Sequence, residues 1–128
     1  MDIVTRKQLN ILIQLASADK HFSSVERERI LDIAKKRNFS TEEVEELIQN
    51  PEPIGSFGAL SNDQRFQYLY SCIDLMLIDD KIFDSEMIFC IDIAIKLDFK
   101  KDVVNFMKEE IHNHPLPELK QMVFERFT

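Results

Sequence analysis

Apolar residues recur at three- and four-residue steps along almost the whole chain. Leu9, Leu12, Ile13 and Ala16 set this spacing in a first predicted helix of about residues 3–18. Such spacing places side chains on one face of an α-helix, whereas a half-buried strand would alternate apolar and polar positions. Because no segment shows sustained alternation, the pattern predicts an all-α protein.

Capping boxes mark where several helices begin. In a capping box, Ser at the N-cap accepts from the backbone and Glu or Gln three residues later reaches back. Three pairs have this spacing: Ser23 with Glu26, Ser40 with Glu43, and Ser61 with Gln64. Asp84 is the predicted cap of a further helix, whose periodic apolar positions are Ile88, Ile91, Ala94 and Leu97. Pro117 is expected at the first position of the last helix.

One segment interrupts the helical pattern and predicts a linker. Both glycines of the chain and two of its four prolines fall within residues 51–60. Gly and Pro punctuate regular structure because of their special backbone conformations. Three apolar residues of the linker are expected to pack on the body of the protein: Ile54, Phe57 and Leu60.

The two sides of this linker resemble each other. Residues 32–39 align with 92–99 at an offset of 60, with Asp, Ile, Ala, Lys and Phe at matching places. Upstream, residues 19–22 align with 80–83 at an offset of 61. Internal similarity predicts a single all-α domain built from two pseudo-symmetric repeats. Its expected parts are repeat one (about 8–50), the linker (51–60), repeat two (about 61–110) and a C-terminal helix (about 116–127).

Charge and composition narrow the classes of function. The chain has 23 acidic and 16 basic residues, for a net charge of −7. Nucleic acid and anionic membrane surfaces require clustered Lys and Arg, so neither is an expected partner. No apolar run reaches the roughly 18 residues of a membrane span, and the first residues lack a signal-peptide pattern. Cys72 and Cys90 are predicted to be buried thiols in a reducing cytoplasm.

Each predicted repeat carries an Asp in a turn and a Glu in the first turn of the next helix. The pairs are Asp19 with Glu26, and Asp80 with Glu86. Carboxylates at helix N-termini commonly cap backbone N–H groups and complement the helix dipole. If the two turns met, the four carboxylates would supply the oxygen ligands that Ca²⁺ or Mg²⁺ prefers, or would form an acidic docking surface. The residues alone leave these three interpretations open.

These two turns also resemble a known family. Residues 18–26 and 78–86 are similar to the repeated Ala-Asp-Gly-x-apolar pattern, followed by Glu, of the TerB-like domain. That family includes the tellurite-resistance protein TerB and the membrane-proximal region of DjlA-type co-chaperones. Lys20 and Lys81 stand where the family has glycine. The resemblance covers roughly residues 8–110. It implies a compact bundle of about seven helices without known catalysis, with an acidic cluster formed by the four carboxylates above.

Together, these observations predict a non-enzymatic interaction or sensing module in the cytoplasm, with a protein partner and a role in a stress response. Its acidic cluster would bind a divalent cation or a basic partner. Two alternatives stay open. A small metal-dependent enzyme would need an open coordination position in a concave pocket lined by the same carboxylates. A purely structural subunit would expose a large apolar patch.

Overall fold

The computed structural model describes residues 2–18, 22–55, 57–79 and 81–128, which form seven α-helices and no strand. The helices are α1 (Ile3–Ala16), α2 (Ser24–Lys36), α3 (Thr41–Gln49), α4 (Asn62–Met76), α5 (Asp84–Lys96), α6 (Val103–Glu110) and α7 (Leu116–Arg126). The predicted all-α class and the number of helices are confirmed. Within these described ranges, no helix has the length and apolar content that a membrane span requires.

Helices α1 and α4 form the centre of the bundle. They pack against each other, while α2 and α3 cover α1, and α5 and α6 cover α4. Leu9 and Leu12 of α1 and Leu69 and Ile73 of α4 are completely buried. Because both helices are surrounded, each contributes more than one apolar face to the core. The periodicity of α1 in the sequence follows from this position.

The linker is packed against α1. The Asn10 side chain donates to the Glu52 carbonyl at 2.8 Å and accepts from the Glu52 N–H at 2.9 Å. Gln14 donates to the same carbonyl at 2.6 Å. Phe57 is buried and meets the Tyr68 ring edge-on, with centroids 5.9 Å apart. Ile54 and Leu60 also pack on the core, so the predicted packing of the linker is confirmed.

The helix starts agree with the sequence except at α5 and α7. All three capping boxes form as predicted, at α2, α3 and α4. The N-cap of α5 is Phe83, whereas Asp84 is the first helical residue. Glu86 accepts from the Phe83 N–H at 3.1 Å, and this bond sets the helix start one residue earlier than expected. In α7, Pro117 occupies the second helical position because the helix begins at Leu116.

Helices α2 and α5 end in the same way. Asn38 has a φ of 65° and Asp98 a φ of 66°, and they are the non-glycine residues with positive φ in the described part of the chain. Asn and Asp tolerate this left-handed conformation better than most residues because their short polar side chains bond locally. In each case the next amide donates to a carbonyl five residues back at 2.9 Å: Phe39 to Ala34, and Phe99 to Ala94.

The two cysteines are buried free thiols where α4 meets α5. The Cys90 thiol lies 4.0 Å from the Cys72 carbonyl oxygen. Burial raises the pKa of Cys72 to about 12, and burial also raises the pKa of Cys90. A thiol must ionise to act as a nucleophile. Both thiols are therefore protonated at neutral pH, and their predicted burial is confirmed.

Candidate functional site

Two of the four predicted site carboxylates belong to the described structure. Glu26 and Glu86 lie in the first turns of α2 and α5. Asp19 and Asp80, by contrast, fall outside the described residues. The predicted convergence of all four carboxylates therefore stays a prediction.

Glu26 and Glu86 are buried helix caps. Their exposed fractions are 2% and 3%, which is rare for a carboxylate unless it has partners. The Glu26 Oε1 atom accepts from the Ser23 N–H at 3.1 Å and from the Ser23 hydroxyl at 2.9 Å. Glu86 accepts from the N–H of Phe83, which has no side-chain acceptor to return the bond. The capping interpretation is confirmed for both glutamates.

No metal centre assembles within the described ranges. There, no three side chains of the types His, Cys, Asp or Glu lie close enough together to hold an ion. His114 lies between two glutamates: its Nε2 is 2.9 Å from the Glu110 carboxylate and its Nδ1 is 3.2 Å from the Glu118 carboxylate. This pairing joins the end of α6 to the first turn of α7. Its role in the structure is to connect these two helices.

Helix α5 exposes an apolar stripe. Ile88 and Ile95 are 61% and 52% exposed, and the partly buried Ile91 lies between them. The spacing of three and four residues puts all three side chains on one face of the helix. The positions 60 residues earlier in α2 are Glu28, Leu31 and Lys35. The periodicity alone suggested a buried face, whereas the buried side of α5 is formed by residues such as Cys90, Ile93, Ala94 and Leu97.

The ends of this stripe have opposite charges. Asp84 in the first turn of α5 and Lys96 in its last turn are both exposed. Each charge complements the helix dipole at its own end. The exposed residues of α5 therefore include an acidic group at one end and a basic group at the other, with a further exposed carboxylate, Asp92, in the middle of the helix.

A cavity of about 290 Å³ opens between α1, α2 and α4. Arg29, Lys36 and Arg37 line it from α2 and its C-cap, and Tyr70 and Asp74 line it from α4. Arg29 and Lys36 are seven residues apart and share one face of α2, and Arg37 is its C-cap. The sequence carries no local signal for this cavity, because the placement of α2 beside α4 is a tertiary relationship.

The resemblance of residues 18–26 and 78–86 to the TerB-like family stays a prediction. Ala18 and Glu26 frame the first motif, and Ile78 and Glu86 frame the second. Comparison of the chain with protein-family models, with curated proteins and with solved structures finds no match.

Proposed function

We propose that this chain is a non-enzymatic interaction module of the TerB-like type, and that it binds a second copy of itself through the α5 stripe. The observation that carries the proposal is the exposure of Ile88 and Ile95 on one helix face. Exposed apolar side chains at helical spacing are the anchors by which one amphipathic helix binds another. Burial of such area removes it from water and favours association.

Charge complementarity favours a second copy as the occupant. Asp84 precedes Ile88 by four residues, and Lys96 follows Ile91 by five. Two α5 helices packed antiparallel, with Ile88 of one against Ile91 of the other, would bring Asp84 of each beside Lys96 of the other. This follows because residues along both helices rise by about 1.5 Å each. In the same antiparallel arrangement, the positive end of each helix dipole lies near the negative end of the other, which is favourable.

The small size of the stripe indicates reversible association. Stable interfaces bury about 1,200 to 2,000 Å² in total, and one helix pair lies at the low end of that range. A purely structural subunit would expose a patch of the same kind. It differs from a reversible module because it would stay assembled on dilution. The concentration dependence of the assembly therefore separates the two functions.

The TerB-like assignment and the two-repeat architecture belong to this proposal. They are supported by the matched ends of α2 and α5 at Asn38 and Asp98 and by the matched caps Glu26 and Glu86. A cytoplasmic setting, which the buried thiols favour, and a role in a stress response also belong to this proposal. The resemblance brings with it an acidic cluster that binds a divalent cation or a basic partner.

Sedimentation equilibrium over protein concentrations from about 5 µM to about 500 µM tests the self-association. We expect a monomer–dimer equilibrium in the wild type and a monomer in Ile88→Asp/Ile95→Asp. Ile3→Asp is the matched control, since Ile3 is 70% exposed on another helix. A wild type that is monomeric throughout, or equal loss of dimer in the control, would overturn the proposal.

A charge exchange tests the antiparallel arrangement. Lys96→Glu alone would place two acidic groups together in each half of the interface and weaken the dimer. Asp84→Lys/Lys96→Glu would restore opposite charges and recover most of the association. Equal weakening in the single and double variants would exclude this register.

A further inference from the structure

The cavity between α1, α2 and α4 carries more positive charge than its own acidic group neutralises. Arg29 forms an ion pair with Asp74 across the opening. Lys36 and Arg37 also line the cavity, and neither forms an ion pair with any residue that the structure describes. Arg37 also faces a neighbouring hollow, where its charge is among the smaller causes that lower the pKa of the Asp2 carboxyl. The cavity thus has an excess of two positive charges on a chain whose net charge is −7. A local excess of positive charge attracts anions to the cavity, even though the chain as a whole is negatively charged.

The floor of the cavity is polar and ordered. Gln8 of α1 donates from its amide to the Ser71 hydroxyl at 3.1 Å. Ser71 in turn donates to the Tyr68 carbonyl at 3.0 Å. Gln8 and Ser71 are each 8% exposed, so these bonds hold two side chains in fixed positions beneath the cations. Preorganised polar groups reduce the entropy that a ligand loses when it is bound.

The wall formed by α4 adds hydrogen-bond donors. Burial, and to a smaller extent Asp74, raises the pKa of Tyr70, so its hydroxyl stays protonated at neutral pH. Gln67 lines the same wall one helical turn before Ser71. Ile33 lies on the α2 side and gives the cavity an apolar surface. The lining thus has a cationic part and an apolar part, which suit a ligand with an anionic group attached to a short organic group.

Size and charge define the class of ligand. Pockets for small molecules measure about 300 to 1,000 Å³, so 290 Å³ suits a small metabolite rather than a polymer. The excess of two positive charges among the lining residues matches the charge of a phosphate monoester better than that of one carboxylate. Arginine also binds phosphate oxygens through two parallel hydrogen bonds.

We infer that this cavity is a binding site for a small phosphate monoester, with Lys36 and Arg37 on its phosphate and Ile33 and Tyr70 against its organic part. The site is separate from the α5 stripe, since α1, α2 and α4 line it. It therefore does not depend on the proposed self-association. Binding of such a ligand would make the module a sensor of phosphorylated metabolites.

Isothermal titration of the full chain with phenyl phosphate tests the site, with inorganic phosphate and benzoate as the second and third probes. All titrations are made at the same ionic strength, set with sodium chloride. We expect saturable binding of phenyl phosphate, weaker binding of inorganic phosphate and none of benzoate. Equal affinity for the two phosphates would show that only the phosphate group is recognised and overturn the assignment of the organic part.

Variants locate the binding on the protein. Lys36→Gln/Arg37→Gln should weaken phenyl phosphate binding by at least about tenfold. Lys35→Gln/Lys101→Gln is the matched control, because it also removes two exposed cations. Lys35 is adjacent in the chain but lines a different hollow between α2 and α3, and Lys101 does not line this cavity. Circular dichroism checks that both variants fold, which is expected because all four side chains are exposed.

Three results would overturn the inference. They are an absence of saturable binding at about 10 mM phenyl phosphate, equal weakening in the matched control, and unchanged affinity in Lys36→Gln/Arg37→Gln. Ile88→Asp/Ile95→Asp should bind phenyl phosphate as the wild type does. That measurement keeps the outcome for this cavity distinct from the outcome for α5.

Discussion

Asn10 in α1 forms two hydrogen bonds with the backbone of Glu52 in the linker, one through each end of its amide. The side chain is 4% exposed, so it is almost wholly removed from water. A buried polar group left without its partner costs about 1 to 3 kcal/mol. This pair therefore fixes the course of the linker over the first helix.

We expect Asn10→Ala to lower the free energy of unfolding by about 1 to 3 kcal/mol, because the Glu52 N–H loses its side-chain acceptor. Urea denaturation followed by circular dichroism measures the change. Gln121→Ala is the control, since it removes an exposed amide bond to Glu125 on α7. A loss in the control as large as that in Asn10→Ala would contradict the role of burial.

The cap of α2 gives a second prediction. Ser23→Ala removes the acceptor of the Glu26 N–H and one donor to the Glu26 carboxylate. Loss of an N-cap of this kind costs about 0.5 to 2 kcal/mol. The adjacent Ser24 is exposed and lies inside the helix, so Ser24→Ala should leave the unfolding free energy almost unchanged. Thermal unfolding of the two variants side by side makes the comparison.

The buried thiols predict a loss of stability in alkaline solution. Burial raises the pKa values of Cys72 and Cys90 in the folded chain above the value of 9.0 for a free thiol. The unfolded chain therefore releases these protons first. The contribution of the thiols is complete below about pH 9 and falls as the pH rises toward the folded pKa.

The measurement is the slope of unfolding free energy against pH between about pH 9 and about pH 11, determined by urea denaturation. We expect Cys72→Ala/Cys90→Ala to reduce this slope by up to about two protons. The absolute stability of that variant will be lower at every pH, because two buried side chains are truncated. An unchanged slope would contradict this account, because it would show that the thiols lose their protons at the same pH in the folded and the unfolded chain.

The cation hypothesis predicts a shift in thermal unfolding. If the acidic cluster binds Ca²⁺ or Mg²⁺ in the folded state only, either ion must raise the unfolding midpoint relative to EDTA by mass action. Asp19→Asn/Asp80→Asn should abolish the rise. Absence of a shift with any divalent ion would remove both the cation site and the metal-dependent enzyme, and leave Glu26 and Glu86 as helix caps.

Local signals in the sequence predicted the parts of the fold that local chemistry controls. Ser23, Ser40 and Ser61 begin their helices as expected, because a capping box lies within four residues. The prediction that Asp84 is the N-cap of α5 was wrong, because Phe83 takes that position and its N–H donates to the Glu86 carboxylate. At α5 the position of the Glu86 carboxylate, three residues after the N-cap, therefore determines where the helix starts.

The two surfaces that carry the proposals depend on tertiary packing. Lys36 and Arg37 satisfy the rule that cations favour a helix C-terminus, so the sequence offered no reason to connect them with Tyr70. Ile88 fits the apolar periodicity of α5 but lies outside the face that α4 covers. Periodicity identifies an amphipathic helix, whereas the direction in which each side chain points is set by its neighbours.

The central pairing of α1 with α4 determines how the chain can come apart. Each of these helices is partly covered by the other. A fragment that ends at the linker lacks α4 and would therefore expose the side chains of Leu9 and Leu12 in α1 to water. The two fragments should fold only together, and a protease cut within residues 51–60 should leave them bound as a non-covalent pair. The smallest cooperative unit is thus the whole bundle, and melting should occur in a single step.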